Sequence, residues 1–411
     1  MLMNAYVAGV GMTRFGKLLD QGFKSIGGQA IEAAISDSGI ERAAIEAAWV
    51  GNAAAGILTG QESIRGQVIL REVGIGAIPV VNVENACASG STAFNQACAM
   101  VTAGLYDIVI AVGVEKMYNE DKSKVAAAFR GAADVENMEK MLAELAAAAR
   151  ASGAVKGAEA GAENRSVFMD IYAKGARDYM AKCGATAEHF AMVSAKNSYH
   201  GSMNPRAQFT QALTVEEVLT SPLIVEPLTR PMCSPIGDGA AAVIIVSERK
   251  KRELGLNQAV RVRASILRSS WDREPGSESL VERCSREIYA ETGMGPNDLN
   301  IVELHDASAP AELIAYEKIS LCGAGEGIRL ISDGVTKLGG RVPVSTSGGL
   351  LRKGHPLGAT GVAQVVEVCE QIQGRSGPRQ VVNAKIGLCH NGGGSVRGEA
   401  AAHSMIILSA D

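Results

Sequence analysis

Short runs of β-branched and small apolar residues recur along the whole chain, separated by longer stretches in which apolar residues return every three or four positions. The runs Ala5–Val10, Ala47–Val50, Asp107–Val112 and Ala240–Val246, then Val260–Ile266, Ile301–Leu304, Val381–Ala384 and Ser404–Leu408, predict strands covered on both faces. Gln29–Ile35, Ser91–Ala103, Ser279–Glu291, Ala309–Ser320 and Ala363–Gln373 predict helices between them. Strands alternating with helices predict an α/β protein.

Two segments share one plan, a Gly/Ser-rich loop, a helix of small residues and then a strand. The first is Asn85-Ala86-Cys87-Ala88-Ser89-Gly90 leading to Asp107–Val112, and the second is residues 354–361 leading to Val381–Ala384. An internal duplication follows as the natural reading. Between Tyr118 and about Arg230 the chain turns to charged, Ala-rich helical patterns (Lys122–Arg150, Val167–Ala191) without a clear strand. The expected organisation is therefore a first half of residues 1–117 and 231–256, a helical insertion of residues 118–230, and a second half of residues 257–411.

Composition narrows the function classes. With 47% hydrophobic and 20% charged residues, 47 glycines and a net charge of −4, the 411-residue chain is globular and lacks the basic blocks that track a phosphate backbone. Nucleic acid is a poor partner. The eight cysteines form no CxxC pair, so neither a metal site nor a disulfide framework is expected. No stretch has the length of a membrane span, the N-terminal residues do not read as a signal peptide, and Ser409-Ala410-Asp411 is not a peroxisomal address. A soluble, cytoplasmic protein is the expectation.

Several positions carry candidate chemistry. Cys87 stands between an extended stretch, Val80–Val83, and a helix beginning near Ser89, so the helix N-terminus is expected to favour its thiolate. Taken alone, such a cysteine is more often packing. His355 lies in the glycine-rich loop 348–358, where it could equally well satisfy backbone carbonyls. His305 directly follows a strand, where α/β enzymes place working side chains, although a strand-end His can also cap a turn. Cys389 and His390 precede Gly392, Gly393 and Gly394, again shortly after a strand. Three of the six histidines thus fall in strand-following or Gly-rich loops.

The combination of NACASG, HDAS (305–308), GGLLRKGHPLGATG (348–361) and HNGGG (390–394) resembles the thiolase superfamily, and the likeness extends over essentially the whole chain, including VAGVGMTRFGK, AKNSYHGSMNPRAQF and PIGDGAAAVIIVSE. His305-Asp306 is similar to the sterol-carrier-protein-type and lipid-transfer-type subgroup, except that Ala307 stands where that subgroup carries a cysteine. The resemblance implies a thiolase fold, two duplicated α/β halves in a five-layered αβαβα core with a helical loop-domain insertion. It implies cleavage of a 3-oxoacyl-CoA by free coenzyme A, with CoA as co-substrate and no tightly bound cofactor. His355 would take the proton of Cys87, which becomes the acyl carrier. His305 and His355 would hold the enolate oxygen. Backbone N–H groups of Cys87 and of Gly392 and Gly393 in the 392–394 loop would form the second oxyanion hole. Ser347 and Gly348 would contact CoA. Cys389 and His390 are the candidates for the second acid/base; adjacent residues on an extended segment point oppositely, so at most one faces the pocket, and Cys389 is favoured.

The loops HDAS and CHNGGG are also similar to bacterial members that work with a small zinc-ribbon/OB-fold partner, among them benzoylsuccinyl-CoA thiolase, which would make the substrate an aromatic 3-oxoacyl-CoA. A homodimer is expected. The rival readings are a lipid-transfer-type retro-aldolase that needs no covalent cysteine and a non-catalytic acyl-CoA carrier or scaffold subunit. A ketoacyl synthase fits the surroundings of His355 poorly, and a nicotinamide dehydrogenase would rest on Gly9-Val10-Gly11 with Arg14 in place of a third glycine.

Overall fold

The computed structural model describes residues 2–153, 166–274 and 276–411. Its strands, in chain order, are β1 (Leu2–Met12), β2 (Ala47–Gly51), β3 (Val80–Val83), β4 (Ile108–Glu115), β5 (Leu223–Val225), β6 (Leu228–Thr229), β7 (Gly239–Ser247), β8 (Val260–Ser269), β9 (Ile301–Glu303), β10 (Ile386–Gly393) and β11 (Ala402–Ser409). Nine of them make one sheet, in the order β3-β2-β4-β7-β1-β8-β11-β10-β9.

The order has a hidden symmetry. In the first half β1 is antiparallel to β7 and β7 to β4, while β4 and β3 lie parallel to β2. In the second half β8 is antiparallel to β11 and β11 to β10, β10 is parallel to β9, and Val344 adds a parallel bridge to Val302 of β9. Strands β1 and β8 pair antiparallel. The duplicated halves therefore meet edge to edge about a pseudo-two-fold axis.

Successive strand residues face opposite sides, and this sorts the core into layers. Val109, Ala111, Val243 and Ile245 of the first half, with Ile406 and Leu408 of the second, face a common core with the helices Ser89–Thr102 and Thr360–Ile372. Ile110, Val112, Ile244 and Val246 face the helix Phe23–Ser38 on one outside. Met405 and Ile407 face the helices Leu280–Thr292 and Ala309–Lys318 on the other. The one continuous sheet thus supplies two layers, one from each half, and helix, sheet, helix, sheet, helix is the resulting stack. The two central helices cross backbone against backbone: a Cβ on Gly90 would lie 2.4 Å from the Gly358 carbonyl oxygen, and one on Gly361 would lie 2.6 Å from the Ser91 nitrogen. Only glycine admits this approach.

Some expectations need correction. Val381–Ala384 is not a strand; Val382 is 84% exposed and Asn383 is left-handed (φ 55°), and the strand begins at Ile386, where Gly387 finds its partner Ile301. The stretch Lys122–Arg150 is two helices, Lys122–Arg130 and Met138–Ala151, because the Asp134 carboxylate caps a new start by accepting from the Glu136 N–H. The stretch from Val167 divides into Val167–Cys183 and Ala187–Ser202 at the left-handed Gly184 and the Thr186–His189 capping box. The strandless region also contains the β5–β6 hairpin.

Candidate active site

Both central helices begin with a 3₁₀ turn, Ala86–Ala88 before one and Leu357–Ala359 before the other, and these turns carry or flank the two principal candidates. Ala86 adopts φ 47°, a left-handed conformation uncommon for a residue with a Cβ. It is held there because its N–H donates to Glu84 and its carbonyl accepts from Ser89 Oγ at 2.6 Å. The strained turn presents Cys87. Across the axis, the buried Glu115 carboxylate accepts from the N–H groups of Ala53, Ala54 and Gly358 and from Asn52 Nδ2, at 2.9–3.1 Å. The end of β4 is thereby tied to the loop that carries His355.

Cys87 Sγ and one ring nitrogen each of His305 and His355 lie within 4.8 Å of one another. Among the described residues this trio alone has donor atoms close enough to hold a metal ion, and an ion there would occupy the nucleophile. The two imidazole rings meet edge to face with centroids 5.1 Å apart. Their hydrogen bonds assign different tautomers. Thr360 Oγ1 donates to the Pro356 carbonyl at 3.0 Å, so it can only accept from His355 Nδ1 at 2.7 Å. His355 therefore turns a bare Nε2 toward Cys87. Asn391 Nδ2 donates to His305 Nδ1 at 3.0 Å, while Ser91 Oγ shares its proton between the Asn391 oxygen at 2.8 Å and the Ala88 carbonyl at 3.0 Å, so His305 turns an N–H toward the same place. One ring offers a base and the other a donor.

His390 also faces the cavity. Its Nδ1 accepts the His305 backbone N–H at 3.2 Å, which leaves Nε2 protonated and without a partner. Gln364 Nε2 bridges the carbonyls of Leu304 and His390 and so holds both loops. Cys389 points the other way, into the central core, so the preference for its thiol as the pocket residue is overturned. The parity rule held but could not tell which face was which: His390 shares its face with Leu388, which packs on the outer core.

Burial sets the charge states. It pushes the Cys87 thiol up to about 12, with the Glu115 carboxylate adding to the rise and the N–H groups of Gly394 and Cys87 opposing it. The helix N-terminus does not win. Burial also lowers His305 to about 4 and holds His355 and His390 well below the usual imidazole range. The resting site is a neutral thiol among neutral imidazoles.

Gly392 and Gly394 line the cavity. It is the Gly394 N–H that reaches Cys87, whereas Gly393 packs so closely that a Cβ would lie 2.1 Å from the Asn85 carbonyl oxygen. Ser347 and Gly348 do not line the cavity. Ser347 is fully buried and donates to Glu303 through both its N–H and its hydroxyl, at 3.0 and 2.6 Å. The cavity, about 2140 Å³, runs from the catalytic groups to the insertion, where Phe129, Met169 and Tyr172 form apolar wall and the exposed Lys122, Lys140 and Lys174 are basic. Two of its lining residues, His403 and Lys318, have no loop motif around them and were not singled out from the sequence.

Residues 5–249 match the thiolase N-terminal domain and residues 269–410 the thiolase C-terminal domain-like family. The chain belongs to the thiolase superfamily. It is 39% identical to an acetyl-CoA acetyltransferase of Methanothermobacter thermautotrophicus over 97% of this chain and 98% of the relative. It is 35% identical to the benzoylsuccinyl-CoA thiolase subunit BbsB of Thauera aromatica, covering 97% of each. Identity to bovine sterol carrier protein 2 is 34% over 94% of this chain and 69% of the relative. The protein is thus an acyltransferase with relatives in the sterol-carrier-protein-type subgroup.

Proposed function

We propose that this enzyme cleaves a 3-oxoacyl-CoA with free CoA through an acyl group carried on Cys87. The observation that carries the reading is the complementary pair of imidazole edges, base on His355 and donor on His305, converging on one thiol. His355 Nε2 takes the Cys87 proton, Sγ attacks the ketone carbon, and the bond between that carbon and the α-carbon breaks. The electron pair moves onto the thioester as an enolate, whose oxygen accepts from the Nε2–H groups of His305 and His390. His355 then returns its proton to the α-carbon. In the second half, His355 takes the proton of the incoming CoA thiol, the CoA sulfur attacks the acyl carbonyl with its oxyanion at the N–H groups of Cys87 and Gly394, and Cys87 leaves and recovers its proton. One base serves both halves, and every group ends as it began.

The exposed lysines on the cavity wall suit the phosphates of CoA, and the apolar insertion residues suit a bulky acyl group such as the benzoyl group in the name of the Thauera relative. That relative is named as a subunit, which supports a partner chain, for which a small zinc-ribbon/OB-fold protein is our candidate. The free edge of β3, with Val81 and Asn82 exposed, supports a homodimer as well. No described helix is long and apolar enough to cross a membrane, and a cytoplasmic location is part of the same reading. Incubation with a 3-oxoacyl-CoA in the absence of free CoA, followed by peptide mass spectrometry, should show the acyl group on Cys87. Turnover without an adduct on this peptide would refute the covalent route.

The proton assignment has its own test, exchange of the α-protons of an acyl-CoA with deuterated water. Exchange should survive Cys389→Ala and vanish in His355→Ala. His390→Gln keeps a donor but not a base, so it should retain most exchange. Loss of exchange in His390→Gln with retention in His355→Ala would move the base to His390.

A further inference from the structure

Among the described residues four Lys or Arg side chains are buried, Lys196, Arg352, Lys353 and Arg379. Three of them have a carboxylate alongside: Lys196 pairs with Glu312 at 2.5 Å, Lys353 with Glu303 at 3.4 Å, and Arg379 with Glu367 and Glu370 at 3.1 and 3.0 Å. Arg352 has no such partner among the described residues. It is 7% exposed; its Nη2 donates to the Gln211 carbonyl at 2.6 Å, and its Nε has no partner. Burial lowers the guanidinium, and no neighbouring charge opposes the fall. A cation taken out of water without a counter-charge is costly, so the anion is expected from a ligand. The side chain lines the cavity together with Phe209 and Gln211. Two glycines make room for its stem: a Cβ on Gly201 would lie 2.9 Å from the Arg352 Cβ, and one on Gly348 would lie 3.3 Å from it. The guanidinium lies over the Phe209 ring, 5.2 Å from its centroid, and that residue is 43% exposed.

A planar fork of N–H donors suits the oxygens of a phosphate, and an exposed aromatic face beside it suits a purine. We propose that Arg352 and Phe209 bind the adenosine diphosphate end of coenzyme A, the guanidinium on the diphosphate and the ring against the adenine. This rests on the CoA-dependent reading above and deepens it. The exposed lysines of the cavity wall meet phosphate in water, where an ion pair is worth little, whereas Arg352 supplies the desolvated contact. The subsite selects a CoA carrier over the same thiol on a bare pantetheine arm, and Gly348, although it does not line the cavity, serves that choice by admitting the arginine stem.

Calorimetric titration reads the subsite without turnover, using the enzyme with any subunit that co-purifies and three probes: CoA, dephospho-CoA, which keeps the diphosphate but lacks the 3′-phosphate, and pantetheine, which lacks both. CoA and dephospho-CoA should bind the native enzyme roughly ten- to a hundredfold more tightly than pantetheine, the range of one or two charge-assisted hydrogen bonds. Arg352→Met, which keeps the apolar stem, should remove most of that advantage for both nucleotides, Arg352→Lys should restore part of it, and Phe209→Leu should reduce it about fivefold or more through lost stacking. Pantetheine binding as tightly as dephospho-CoA to the native enzyme, or an advantage that Arg352→Met or Phe209→Leu leaves intact, overturns the proposal. So does a loss confined to CoA, which would put the contact on the 3′-phosphate. Binding that follows Arg352 in an enzyme that cleaves no 3-oxoacyl-CoA and gives no acyl adduct on Cys87 would remove the acyltransferase and leave the subsite standing.

Discussion

Replacing Cys87 with alanine should lower CoA-dependent cleavage of a 3-oxoacyl-CoA by roughly 10⁴–10⁶-fold, the order seen when a covalent nucleophile is deleted. His355→Ala should cost about 10²–10⁴-fold. Because the thiol is neutral at rest and acts only through that imidazole, the double variant should be scarcely worse than Cys87→Ala alone; residues that act as a unit do not add. Single-turnover kinetics on the purified variants measures this. A Cys87→Ala enzyme that still splits its substrate near the native rate would be a carbon–carbon lyase of the retro-aldol kind, since that route needs no acyl carrier. A variant series without effect on any thioester would leave a carrier or scaffold role.

The second large effect is on stability. Lys196 Nζ and Glu312 Oε1 meet at 2.5 Å with both side chains fully buried, and Lys196 also donates to the Val344 carbonyl at 2.9 Å. Glu312 further accepts from Asn197 Nδ2 and from the Tyr316 hydroxyl. The pair joins the insertion helix Ala187–Ser202 to the helix that follows His305-Asp306. Glu312→Ala leaves an ammonium buried without a counter-charge, and it should destabilise the fold by about 3–5 kcal/mol. Lys196→Met combined with Glu312→Leu should recover most of the loss, because the desolvation of both charges disappears together. Urea unfolding with an unchanged slope reads the difference. A Glu312→Ala midpoint no lower than that of Lys174→Ala, which breaks an exposed pair with Asp178, would show that the buried pair holds nothing.

Much of this architecture was legible because strands covered on both faces write themselves as unbroken apolar runs, and because glycines at a helix crossing leave a motif. Cys87 and His355 could be picked out for the second reason: Gly90, Gly358 and Gly361 are required by the backbone contact that sets the two turns side by side. What was not legible depends on neighbours distant in sequence. Whether Cys389 or His390 faces the cavity is decided by which side of β10 meets the central helices. The ionisation of Cys87 is decided by burial beside Glu115, against the local pull of the helix end. His403 looks like any strand residue until β11 is laid against β10. Ser347 belongs to a glycine-rich motif, yet Glu303 draws both its donors inward.

The crossing of the two central helices separates two kinds of evolutionary change. Nucleophile and base are positioned by main-chain contacts at Gly90, Gly358 and Gly361 and by the Glu115 carboxylate. The walls that meet a substrate come from elsewhere, from the insertion and from the outward face of β11. A lineage can therefore exchange Phe129 or Tyr172 and explore new acyl groups without moving the nucleophile or its base. The symmetric seam is the fixed engine, and selectivity becomes a replaceable part.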